Sequence, residues 1–189
     1  MSDWTPASDL FERGPIVMGL RLQHVTLGHL DLLDELGIDV YGEIGVGELM
    51  VISFVLAQHH TESRQDIGKW WVKRLFTWKS KRVSQEQLQK EFETLMDWLQ
   101  YQFSGPRVMR DLKKNSNSGC AAPLHINLMA TCMSRLHLSL EETKNLTVKR
   151  AKQLTMAAAE AVGEVELVTD RYDRFIAMCN AADAAKARN

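Results

Sequence analysis

The stretch "SQEQLQKEFETLMDWLQYQF", residues 84–103, decides the fold class. Leu88, Phe92, Leu95, Met96, Leu99 and Phe103 recur at spacings that lay one apolar stripe along a helix of about five turns. Ser84 and Gln87 occupy the N-cap and N3 positions of a capping box, in which each side chain satisfies an amide of the first turn. Gly105-Pro106 ends the helix, because proline cannot continue it. Trp98 and Tyr101 fall off the stripe.

The same periodicity extends in both directions. Upstream, "IVMGLRLQHV" (16–25) partly alternates and reads as extended. Thr26 caps a short helix, "LGHLDLLDEL", with Leu27, Leu30, Leu33 and Leu36 as its apolar face and Gly37 as its stop. Glycines 42, 45 and 47 form a loop into an apolar helix at 48–58. A phosphate-binding loop is the weaker reading, since no Gly-Lys-Ser/Thr follows and no βαβ unit surrounds it. "QHHTESRQD" is a polar break. Residues 67–78 return to helical spacing through Ile67, Trp71, Leu75 and Trp78. Downstream, helices are predicted at 122–137, at 140–145 (capped by Ser139 with Glu142), at 148–162 (capped by Thr147) and at 170–185. "EVELV" (164–168) alternates as a short strand. Residues 1–189 thus read as a single all-α domain, an irregular multi-helix bundle. Its extended structure is limited to a short two-stranded pairing of 16–25 with 164–168. A mobile polar loop at 110–119 separates two helical halves.

With 189 residues, 45% of them hydrophobic, the chain can bury a substantial core. Its net charge of −1 gives no overall attraction to nucleic acid or membrane. The charge is unevenly spread, however. Residues 1–63 hold ten acids and two bases, whereas 64–82 hold seven bases against Asp66. Three cysteines, no basic and apolar leader, and no run of about 20 apolar residues lead to the expectation of a soluble protein of a reducing cytoplasm.

"CAAPLHINLMATCMSRLH" (120–137) tests whether catalysis or metal binding should be expected. On a helix, His125 and Cys132 lie about 10 Å apart, too far for one zinc ion with ligands about 2.0–2.3 Å away. Cys132 has Leu128, Met129, Arg135 and Leu136 as helical neighbours and no base beside it. The adjacent pair His59-His60 points two ways and reads as surface or loop. Asp34-Glu35 and Glu141-Glu142 read as solvated helix positions. The expectation is therefore a protein that is not an enzyme and holds neither metal nor cofactor. Apolar surface beyond the helix stripes points instead to a partner. Trp70, Phe76, Trp98 and Tyr101, flanked by Lys69 and Lys73, are the candidates for a groove that takes an apolar helix. Packing between helices of the bundle is the competing reading for these aromatics.

Two stretches carry a resemblance. "GLRLQHVTLGHLDLLDELG" (19–37) resembles the opening of the tail assembly chaperones of tailed bacteriophages, small proteins encoded just before the tape-measure protein. "PLHINLMATCMSRLHLSLEETKNLTVKRAKQLTMAAAEAVGEVELV" (123–168) resembles their later part, including a small-residue helix that ends in Glu160 to Gly163. The resemblance covers about a third of the chain, and its motifs are packing patterns. It implies a mostly helical protein of the bacterial host cytoplasm that self-associates, holds hydrophobic helices of the tape measure and leaves before the tail is complete. A structural tail or neck component is an alternative, which presence in finished particles would distinguish. A nucleic-acid-binding module using the basic segment 64–82 is another, distinguished by steep salt dependence.

Overall fold

A computed structural model describes residues 14–40, 42, 44–69, 72, 74, 83–105, 108–111 and 122–167. They are mostly helical, as expected for an all-α chain. The helices are α1 (Leu27–Glu35), α2 (Val46–Leu56), α3 (His60–Asp66), α4 (Gln85–Phe103), α5 (Leu124–Leu136), α6 (Leu140–Asn145) and α7 (Val148–Ala161). The short strands are β1 (Ile16–Val17), β2 (Leu20–Arg21), β3 (Val108–Asp111) and β4 (Val165–Leu167). The helix predicted at 170–185 lies outside the described residues.

The local signals act as polar chemistry requires. Thr26 caps α1, Ser84 caps α4, Ser139 caps α6 and Thr147 caps α7, each accepting an amide of the first turn. Both α1 and α7 end in the same way. Gly37 and Gly163 take φ of 72° and 69°. The next amides, of Ile38 and Glu164, reach back to the carbonyls of Leu33 and Ala159. This Schellman closure needs a left-handed residue, which glycine supplies without a Cβ clash.

Strand pairing differs from expectation. β1 pairs with β2 in a tight hairpin turned at Met18 and Gly19, while β4 pairs with β3. Residues 110 and 111 are therefore strand rather than the start of a loop, and 112–119 lie outside the described residues. The partner of β4 had no apolar alternation to reveal it, since "VMRD" is half charged. The region 16–25 is instead joined to the C-terminal half at its other end. Thr26 and Thr147 form an antiparallel bridge, with Val148 N–H donating to Val25 O at 2.8 Å and Leu27 N–H to Leu146 O at 2.9 Å.

The core gathers at these junctions. Leu22, Leu27, Leu33, Leu49, Ile52, Leu56 and Leu95 are almost completely buried. α2 buries seven of its eleven residues, which places it at the centre. It begins at Val46 rather than 48, with Glu48 accepting the Gly45 N–H at 2.7 Å. α5 packs on α7, α1 on α5 and α6, and α4 on α7, α2 and β1. The supposed polar break contains α3. Its buried residues are His60 and Ser63, so an apolar pattern could not announce it.

Helix α4 departs most tellingly from its stripe. Its buried residues are Leu95, Trp98, Leu99 and Gln102, all in the C-terminal half. The packed face is thus turned toward Trp98 and a buried amide. Gln102 Oε1 accepts the Val25 N–H at 3.3 Å, and Gln102 Nε2 lies 3.2 Å from His24 Nδ1. Lys152 of α7 donates to the Phe103 carbonyl, placing a cation at the negative end of α4. In the N-terminal half, Leu88 and Phe92 are half-buried, and Met96, just past the middle, is exposed.

Candidate functional site

Two clusters stand out among the described residues. The first is a histidine group where α1, α3 and α6 meet. His29 occupies the N3 position of the α1 capping box. Its Nδ1 accepts the Thr26 N–H at 3.0 Å, so the proton sits on Nε2, which donates to Gln58 O at 2.8 Å. The ring is 1% exposed. Burial lowers its pKa to about 4, with His60 and His59 lowering it further against the raising effect of the Gln58 carbonyl. His60 meets His29 edge-on at 5.8 Å and lies 4.2 Å from the His59 ring. Burial lowers the His60 pKa too; His59, Lys144 and Arg64 add to the effect, and Asp31 opposes it. Lys144 pairs with Asp31 at 2.6 Å, and Arg64 with Glu35 at 2.7 Å. His59 is exposed, with Nε2 3.0 Å from Asn145 Oδ1. The surface or loop reading holds for His59, which is exposed and caps α3, and is corrected for His60, which is a core residue.

Gly28 makes this packing possible. A Cβ there would stand 2.7–2.8 Å from the ring atoms of His60. We expect Gly28→Ala to destabilise the protein, because overpacking costs about 1–3 kcal/mol and exceeds the ~1 kcal/mol of helix propensity gained. In a His60→Ala background the same change should become stabilising. Urea melts of the four proteins check this, and an unchanged sign in the double mutant would show that the contact is unimportant.

His125 and Cys132 fall on α5 as predicted. Cys132 is fully buried, and burial raises its thiol pKa, which suppresses the nucleophilic thiolate. His125 is buried, with Nε2 3.8 Å from Asp34. His137 ends α5 at a φ of 54°. Cys120 lies outside the described residues. No group of three or more His, Cys, Asp or Glu able to hold a metal ion occurs among the described residues.

The second cluster is a groove of about 490 Å³ between the N-terminal ends of α2 and α4. Ile44, Val46 and Leu49 form one wall, and Leu88 and Phe92 the other. Gln85, Glu86 and Gln89 line its α4 rim. Val46, the first residue of α2, is 39% exposed.

The aromatic candidates separate. Trp98 is 9% exposed. Its Nε1–H donates to Gln23 O at 3.2 Å, and its ring lies against His24 and stacks on Tyr101. This corrects the expectation that Trp98 stands off the packed face: Gln23 and His24, in the segment after β2, cover that side of α4. Tyr101 is half-buried, with the Lys149 ammonium 4.3 Å from its ring centre. Lys69 is exposed and donates to Asp66. Trp70, Phe76 and Lys73 lie outside the described residues.

No helix among the described residues is long and apolar enough to cross a membrane. Comparison with protein-family models, curated proteins and solved structures finds no match.

Proposed function

We propose that this protein is a non-enzymatic helical binding protein that captures an apolar helix of another protein, in the manner of a phage tail assembly chaperone acting on a tape-measure protein in the bacterial cytoplasm. The observation that carries this reading is the groove between α2 and α4. Its walls are apolar, with Leu49 buried at the floor, Ile44, Leu88 and Phe92 half-buried and Val46 exposed, and one helix is the element such a trough fits. The stripe that organises 84–103 continues past the buried half of α4 into this groove, where Leu88 and Phe92 pack against the edge of the core and, among the described residues, stay only half-buried.

The nucleic-acid reading draws less support. Arg64 is paired with Glu35, and Lys69 with Asp66, so two of the basic residues of 64–82 already have anionic partners.

The test is co-expression with a tape-measure protein encoded by the neighbouring gene. We expect the protein to keep it soluble and to be absent from finished particles. Phe92→Asp should abolish capture while leaving the helical circular dichroism unchanged, because Phe92 is only half-buried. A tape measure equally insoluble with and without the protein would overturn this function. Retention of the protein in particles would favour a structural tail component.

A further inference from the structure

We infer that the groove between α2 and α4 selects an apolar helix flanked by lysine or arginine; this rests on the helix-capturing function proposed above. Within that function, the sign of the partner's charge follows from what surrounds the apolar walls. Glu86, Glu93 and Asp97 recur at i, i+7 and i+11, which places them along one flank of the Leu88–Phe92–Met96 stripe. Glu86 lines the groove directly, and Glu93 is held beside it by the Gln89 amide at 2.9 Å. On the opposite wall Glu48 is fixed at the start of α2 by the Gly45 N–H. Among the described residues, no lysine or arginine lines the groove. Lys90 is the one base of α4.

A partner helix lying in the trough brings its own flanking residues beside these carboxylates. Acidic flanks would meet like charges in a partly desolvated rim, and basic flanks would meet opposite ones.

Three synthetic helical peptides separate the possibilities. They share one Leu/Val face and differ only in having Lys, Gln or Glu on both flanks. Binding is measured by fluorescence anisotropy to the full chain at low salt and at 0.5 M salt. We expect the Lys peptide to bind at least about tenfold more tightly than the Glu peptide at low salt, with the Gln peptide between them. The difference should shrink at high salt, where the Debye length falls to a few ångströms. Glu86→Lys combined with Glu93→Lys and Asp97→Lys should reverse the order. Phe92→Asp should remove binding of all three.

Equal binding of the three peptides, lost in Phe92→Asp, would overturn the charge selection and leave the helix-capturing function standing. No binding of any peptide would overturn both. Lys-peptide binding that survives Phe92→Asp would place the contact outside the groove and overturn the inference. So would a free protein that is dimeric and becomes monomeric in Phe92→Asp, because a second copy would then be the occupant.

Discussion

Replacing Trp98 by alanine should lower the stability of the protein by about 3–5 kcal/mol, the range for truncating a large aromatic in a packed core. The side chain is 9% exposed, donates to the Gln23 carbonyl and contacts both His24 and Tyr101. Truncation therefore opens a cavity and also removes the donor of a carbonyl beside the Gln102 network. Tyr101→Ala should cost less, since that ring is half-buried and its cation–π contact with Lys149 is worth about 0.5–1 kcal/mol near the surface. Phe92→Asp should cost least of the three. Urea melts of the three variants give the ranking. A Trp98→Ala protein as stable as the parent would restore Trp98 to the list of interface residues.

Acid should weaken the fold before its carboxylates titrate. His29 has a folded pKa of about 4 against 6.5 for the unshifted ring, so the unfolded state binds its proton first as the pH falls. The contribution of neutral His29 is complete above pH 6.5 and is lost as the pH drops toward 4. Over that window the shift corresponds to about 3 kcal/mol, using 1.36 kcal/mol for each pKa unit. His60 is shifted in the same direction and steepens the slope. The control is His29→Gln, because glutamine is an ordinary N3 partner in a capping box and keeps the Thr26 amide satisfied. Its stability should vary less between pH 7 and 4.5 than that of the parent. Identical slopes for the two proteins in chemical denaturation would exclude His29 as the titrating group.

The helices that the sequence announced were those with side chains speaking for themselves. Thr26, Ser84, Ser139 and Thr147 each sit where a first-turn amide needs an acceptor, and Gly37 and Gly163 where a left-handed residue is required. What stayed hidden depends on contacts between distant segments. Trp98 looks peripheral until Gln23 and His24 are laid against it, and Gln102 looks solvated until it meets Val25 and His24. α3 escaped notice because its inward residues, His60 and Ser63, are polar. The only local hint of a buried His60 was a glycine at 28 where a helix would prefer alanine. The groove was half legible: the stripe of 84–103 was plain, but only the fold reveals that its first half lines a groove with the start of α2 and that its second half is turned toward Trp98.

The bridge between Thr26 and Thr147 bears on the order in which the chain acquires its structure. It joins residues separated by most of the described sequence, which is contact of high order, and such contacts form late because a long loop must first be closed. A growing polypeptide presents α1, the apolar α2 and the stripe of α4 well before the residues that pin α1 have been synthesised. Its N-terminal half therefore passes through a stage of vectorial synthesis with apolar surface still uncovered. A protein proposed to shelter the helices of another is, by this topology, one whose own first helices wait for shelter from its C-terminal half.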